Sequence, residues 1–278
     1  MDLGRPMELA TDLDMTGHAG YMYGCRWQGA GERPPEYVVL LCHGYGEHIR
    51  RYDWVAERFV DDGAAVYGVD HAGHGRSEGE RVLIDDFDAV IADVRLMHDR
   101  AVLEHPGTPV VLVGHSMGGM IAARYAQLHG SDLACTVLSG PVMGHWAALE
   151  ALLGADEIPD DPIDPDVLSR VPAVGQAYLE DPLVWHGPFK RPTLEALGRC
   201  IESIQAGVPI GHPVLWLHGR DDQLVPYEGS AAGWPVIRGE RGQDKSYDGA
   251  RHEIFNESNR DEVLDDVIGF VRDHLPPA

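Results

Sequence analysis

Val110-Val-Leu-Val-Gly-His-Ser-Met-Gly-Gly119 is the stretch that decides the fold. Its first four residues are apolar and mostly β-branched, the composition of a buried strand. Beyond Gly119, Met120-Ile-Ala-Ala-Arg-Tyr-Ala-Gln-Leu-His129 reads as a helix. Between them Gly114-His115-Ser116-Met117-Gly118 is G-x-S-x-G, and in the order strand, motif, helix it makes a sharp turn that projects its serine. The turn holds that serine in a sparsely populated backbone conformation, with glycine on either side giving room to pack. The helix start adds free N–H groups and a positive dipole end beside the hydroxyl. Ser116 is therefore a candidate nucleophile. The other reading is an ordinary strand-to-helix turn with a capping serine.

Working outward, the chain alternates. A weak strand over Gly20–Trp27 precedes a Gly/Pro-rich turn at 28–35, and Tyr37-Val-Val-Leu-Leu-Cys42 has the length of a buried strand. Residues 51–62 carry helical apolar spacing with Gly63 as a stop, and 64–70 is the next strand. A helix over 85–104, the motif strand, and a strand over 134–139 follow. This rhythm implies a largely parallel sheet covered on both faces. From Gly140 to Gly207 no strand signal appears, only helical patches at 146–153 and 193–205 around an Asp/Pro-rich segment at 158–165. Strand alternation resumes at Val214-Leu-Trp-Leu-His218, weakly at 245–247, and ends in a helix over 259–274. The expected architecture is an N-terminal core over 1–140, a helical cap over 141–207 and a C-terminal core over 208–278. The cap follows the sixth strand and sits where ligands bind, outside the carboxyl ends of the strands.

A length of 278 residues suits one large α/β domain, and 44% hydrophobic with 24% charged residues is a globular composition. The formal net charge of −23 argues against nucleic acid and anionic membranes as electrostatic partners. Cys25, Cys42, Cys135 and Cys200 show no metal spacing, so no metal and no cofactor is expected. No leader-like apolar stretch opens the sequence and no segment has membrane-spanning length, which makes a cytoplasmic location the expectation. Oligomeric state is not legible.

A serine hydroxyl needs a histidine base oriented by an acid. On the strand–elbow–helix fold the partners follow in the order serine, acid, histidine, at the ends of later strands. Here an acid after Val214–His218 is Asp221 or Asp222. Among 15 histidines, His252 alone lies after that acid and just before the terminal helix. His43, His71, His74 and His115 flank loops at the same sheet edge and read equally well as structural hydrogen-bonding residues. His43-Gly44 opens the loop after an early strand, which places the N–H groups of Tyr45 and Met117 as an oxyanion hole.

His43-Gly-Tyr-Gly-Glu-His48 with Arg51-Tyr52, Asp70-His-Ala-Gly-His-Gly-Arg-Ser-Glu-Gly79, Gly114-His-Ser-Met-Gly-Gly119, Gly219-x-x-Asp222 and Gly249-x-x-His252-Glu together resemble the monoacylglycerol lipase branch of the α/β-hydrolases. The resemblance runs from about Tyr37 to the C-terminus. It implies Ser116 as nucleophile, Asp222 as the acid, His252 as base, and the Tyr45 and Met117 N–H groups as oxyanion donors. Glu47, Arg51, Asp70, Gly73, Gly75 and Ser77 are carried over as scaffold and turn residues. It further implies a serine esterase that cleaves monoacylglycerol or another small lipid ester through an acyl-enzyme. A carboxylesterase on short alkyl or aromatic esters and a lysophospholipase are the neighbouring readings, and a non-catalytic small-molecule receptor the remote one. A serine at the elbow argues against dehalogenases of this fold, which need a carboxylate nucleophile. In the cap, Trp146, Leu149, Leu152 and Leu153 are candidates for an apolar substrate path, with transient membrane or lipid-droplet contact through the cap. The group that reads the alcohol is not assignable from the sequence.

Overall fold

The computed structural model describes residues 10–29 and 34–277. The first nine residues and half of the turn expected over 28–35 lie outside that range. Eight strands form one sheet: β1 (Ala10–Gly17), β2 (Gly20–Trp27), β3 (Tyr37–Cys42), β4 (Ala64–Val69), β5 (Val110–His115), β6 (Cys135–Ser139), β7 (Val214–Gly219) and β8 (Gly242–Tyr247). Their spatial order is β1-β2-β4-β3-β5-β6-β7-β8. β1 and β2 pair antiparallel, as do β2 and β4, and every later pairing is parallel. After β3 the chain goes to β4 on one side and then returns to β5 on the other. That reversal opens a crevice at the carboxyl ends of β3 and β5.

All six residues of β3, β4, β5 and β7 and all five of β6 are buried, which is why these strands read as unbroken apolar runs. Successive side chains point to opposite faces. Val38, Leu40 and Cys42 join the core beneath α2 (Phe87–Glu104) and α3 (Met117–His129), while Tyr37, Val39 and Leu41 join the core beneath α1 (Asp53–Asp61) and α8 (Arg260–His274). Truncating a residue such as Leu40, which has no exposed surface, to alanine costs about 2–5 kcal/mol. α2 begins where Asp86 caps it, its side chain accepting from the Asp88 N–H at 2.9 Å.

Between β6 and β7 the chain leaves the sheet for α4 (Ala147–Gly154), α5 (Pro172–Glu180) and α6 (Arg191–Gln205). α7 (Tyr227–Ile237) follows β7. Three elements depart from the sequence reading. β1 was not foreseen, nor were α5 and α7, the latter lying between Asp222 and His252. Among the described residues no helix is long and apolar enough to cross a membrane.

Candidate active site

Ser116 has φ 56° and ψ −118°, one of two non-glycine residues with positive φ among those described. Such a conformation costs on the order of 1–3 kcal/mol and persists only where packing imposes it. The packing is visible. A Cβ on Gly118 would collide with the carbonyl oxygens of Cys42 and His43, and one on Gly114 with the carbonyl of Gly118. Glycine at both sites lets the start of α3 press against the end of β3. Ser116 makes no side-chain cap to its own helix. The capping alternative is thereby removed, and the hydroxyl is left to a cleft that Ser116 lines together with His252.

His252 lies between β8 and α8, and its Nδ1–H donates to Oδ2 of Asp222 at 2.7 Å. The other carboxylate oxygen accepts from the backbone N–H groups of Leu224 at 3.0 Å and Val225 at 2.8 Å. Burial works against the Asp222 charge, but His252 and the contact from His218 outweigh it and hold the carboxyl well below the usual range. For His252, burial opposes the imidazolium and the Asp222 charge more than offsets that, so its pKa stands above the ordinary 6.5. Asp221 is exposed, with its N–H bonded to the Ala250 carbonyl. The structure thus brings Asp222, not Asp221, to His252. No Ser116–His252 hydrogen bond forms, and the Asp222 bond is the ring's hydrogen bond. Nucleophile–base contacts are commonly loose until substrate binds.

Tyr45 and Met117 line the same cleft as Ser116. Neither of their N–H groups is taken up by a turn or loop hydrogen bond among the described residues. The Tyr45 loop is held from behind by Glu47. Its Oε1 accepts from the Gly44 N–H at 2.6 Å and from the Tyr52 hydroxyl at 2.7 Å, while Oε2 accepts from Arg51 at 2.5 Å. Arg51 also grips Glu253 through two hydrogen bonds of 2.8 and 3.0 Å. All three side chains are buried, with exposures of 11% for Arg51 and 6% for each glutamate. Asp70 is scaffold alone: its oxygens accept from the Ile49 and Arg76 N–H groups, both at 2.8 Å. Glu47 and Arg51 do more than the scaffold role read from sequence, since both line the cleft with Glu253. The signal for that was Glu253 directly after His252, a carboxylate beside the base for which Arg51 is the countercharge.

The cleft spans about 550 Å³, part of it open to solvent. Its apolar wall comes from Met117, Val142, Trp146, Phe189, Leu197 and Leu224, and Phe189 stacks on Tyr45 with ring centroids 4.5 Å apart. Its charged wall, Arg51 and Glu253 with His115, is shared with a smaller surface pocket beyond it. Of the four cap candidates, Trp146 lines the cleft. Leu149 is buried in the core facing α6, and Leu152 and Leu153 are half-buried against that core, outside the cleft lining. Phe189, Leu197 and Tyr178 line it instead.

The competing histidines are structural. His43 donates from Nδ1 to the Gly44 carbonyl at 2.8 Å and accepts the His71 N–H on Nε2 at 3.0 Å. Burial pushes His71 down to about 3 and His74 down to about 4. His115, with its ring 4.8 Å from His252, is likewise pushed to about 3 by burial and then by His252.

The family profile described as "Serine aminopeptidase, S33" matches residues 33–259. A monoacylglycerol lipase of Mycolicibacterium smegmatis is 38% identical over 251 residues, covering 87% of this chain and 90% of that protein. The monoglyceride lipase of Homo sapiens is 31% identical over 248 residues, covering 85% and 81% respectively. The crystal structure of the Paleococcus ferrophilus monoacylglycerol lipase superposes with a TM-score of 0.77 at 26% identity, covering 91% of this chain and 99% of that one. The chain belongs to the serine aminopeptidase S33 family, in the monoacylglycerol lipase branch of the α/β-hydrolases, serine hydrolases that act on small lipid esters.

Proposed function

We propose that Ser116, His252 and Asp222 are the catalytic triad of a monoacylglycerol-type lipase, with the Tyr45 and Met117 N–H groups as its oxyanion hole. The observation that carries the assignment is the 2.7 Å hydrogen bond from His252 Nδ1 to a buried Asp222, in the cleft that the strained Ser116 turn enters. In the first half-reaction Ser116 Oγ attacks the ester carbonyl as its proton passes to His252 Nε2. The two N–H groups receive the oxyanion, and Asp222 stabilises the imidazolium. Collapse breaks the bond to the alcohol, which leaves with the proton from His252, and an acyl-Ser116 ester remains. Water, deprotonated by His252, hydrolyses that ester in the second half and returns Ser116.

The division of the cleft supports a substrate with one apolar and one hydroxylated part. The acyl chain follows Phe189, Trp146 and Leu197, and the alcohol meets the wall of Arg51 and Glu253. Residues 141–207 act as the cap over a core made of 1–140 and 208–278. Leu179 on α5, 55% exposed, is the cap's point of transient contact with a lipid surface. The test is one enzyme preparation assayed on mono-, di- and triacylglycerols, a lysophospholipid, short alkyl esters and an aminoacyl anilide. Preference for monoacylglycerol, abolished in Ser116→Ala together with single labelling by a fluorophosphonate, is the expected result. Equal rates on acetate esters and monoacylglycerols would favour a general carboxylesterase. Labelling at another serine with loss of activity would overturn the triad.

A further inference from the structure

His218 closes β7, and both of its ring nitrogens are engaged. The Trp216 indole N–H donates to His218 Nδ1 at 3.1 Å. An indole nitrogen can only donate, so Nδ1 presents its lone pair and the proton of the neutral ring sits on Nε2. Nε2 reaches the Val225 carbonyl at 2.8 Å and lies 3.1 Å from Oδ2 of Asp222. That is the oxygen which takes the His252 proton donor. The side chains of His218 and Asp222 have no exposed surface. Trp216 is itself fixed, stacked on Tyr227 with centroids 5.1 Å apart, and Tyr227 meets the His218 ring edge-on at 5.7 Å.

We propose that His218 is a positioning residue for the acid: its Nε2 proton, placed there by Trp216, is donated to the Val225 carbonyl and shared with Oδ2 of Asp222, which it braces against His252. The inference rests on the triad reading, in which Asp222 is that acid. The Leu224 and Val225 amides anchor Oδ1 alone, and a carboxylate held by one oxygen still pivots. His218 is what fixes the second oxygen independently of His252, whose charge changes twice per turnover. Because His218 shares Oδ2, it also withholds part of the carboxylate charge from His252. Removing the Nε2–H therefore has two effects. The aim of the acid loosens, lowering the rate, and the imidazolium gains a less shared partner, moving the acidic limb of the pH profile upward.

The test compares the full chain with His218→Leu, His218→Gln, Trp216→Phe and Ser116→Ala. It measures kcat/KM on p-nitrophenyl butyrate from about pH 5 to 9 and the melting temperature of each. His218→Leu should lower the plateau about tenfold, the scale of one lost hydrogen bond to a charged group, and raise the limb by about half a pH unit. His218→Gln, whose terminal amide reaches the Nε2 position as a donor, should recover most of the plateau. The other charges facing His252, namely Glu253, Glu47 and Arg51, and the neutral His115, are untouched by these changes. Nitrogen-15 NMR of the histidines should show His218 Nε2-protonated in the parent and still so in Trp216→Phe, because the Val225 carbonyl and Asp222 Oδ2 facing Nε2 both need a donor. That arm and His218→Gln carry the test if His218→Leu does not fold. A His218→Leu matching the parent within twofold with an unmoved limb overturns the proposal. So does equal impairment by Leu and Gln, or a parent His218 protonated on Nδ1 rather than Nε2. Activity surviving in Ser116→Ala overturns the triad reading instead.

Discussion

Replacing Asp222 by asparagine isolates what the acid contributes, because the side chain keeps its shape and loses its charge. Oδ1 serves two backbone donors, at 3.0 and 2.8 Å, and Oδ2 meets the His252 and His218 nitrogens, at 2.7 and 3.1 Å. All four partners are N–H donors, so the amide has no comfortable orientation. With its oxygen toward the backbone, its NH₂ faces His252 and His218, and His252 must turn over to the tautomer that presents N–H to Ser116. With the amide reversed, the NH₂ faces the two backbone donors. The wrong tautomer costs about 10⁴ in kcat in a well-studied triad protease, which corresponds to about 5.4 kcal/mol of transition-state stabilisation. Asp222→Asn should therefore lose three to four decades in kcat/KM. One buried donor left unpaired costs about 1–3 kcal/mol, a fall of a few degrees in Tm for a chain of this size. Asp221→Asn, at an exposed position one residue away, should stay within about tenfold, under ~1.4 kcal/mol. The assay is kcat/KM on a p-nitrophenyl ester with melting curves in parallel. An Asp222→Asn enzyme within tenfold of the parent, or a dead Asp221→Asn, would refute the reasoning.

Since the proposed base His252 can act only when neutral and its pKa is raised, kcat/KM should fall as pH drops through a midpoint above the ordinary 6.5; a profile flat to pH 4 contradicts this. Arg51→Leu strands Glu47 and Glu253 as buried unpaired charges and should cost about 3–5 kcal/mol, on the order of 10 °C in Tm, measured by calorimetry. Trp146→Ala or Phe189→Ala should raise KM for long acyl esters more than for acetates, whereas Leu152→Glu, outside the cleft, should act on Tm and leave that ratio near the parent's. His71, His74 and His115 are held neutral by burial with pKa values depressed to about 3, 4 and 3. The unfolded chain therefore binds protons that the folded one does not, and stability should fall as pH drops below about 6.5. At pH 5 the loss is roughly 2 kcal/mol per residue, read as a lower urea midpoint at constant m-value.

What was legible in the sequence follows from how completely each element is buried. β3 to β7 are enclosed on both faces, so their apolar runs were unambiguous, and with them the order of the proposed triad residues along the chain. β1 pairs only with β2 at the sheet edge and buries Leu13 alone, so its alternation rests on Leu13 and Met15 between Asp12, Asp14 and Thr16, too few apolar residues and too much Asp for a strand signal. α7 contains Gly229, Gly233 and Pro235, all signals of loop. The helix forms nonetheless because a Cβ at Gly229 would strike the His145 carbonyl and one at Gly233 the Met143 carbonyl. Glycine there serves close packing against the chain leaving β6, which no local pattern records. The cap leucines at 149, 152 and 153 follow helical spacing correctly, but spacing cannot say whether an apolar face turns toward a ligand or toward α6.

The charges around His252 explain how the proposed base can sit beside a second carboxylate. Asp222 and Glu253 both favour the imidazolium, as does Glu47 at greater remove, against the cost of burial. Unopposed, that field would lift the pKa of His252 far enough to leave little neutral base at pH 7, and a base is most effective when its pKa lies near the working pH. Arg51 supplies the opposition. It spends its guanidinium on Glu47 and Glu253 together, so the three groups present one net negative charge rather than two. His115 adds no positive charge, because burial keeps it neutral. The strength of the base is thus set by the difference between the Asp222 bond and a nearly balanced wall. That same wall faces the cleft, so in the proposed reaction a leaving alcohol would meet donors and acceptors whose charges already answer one another.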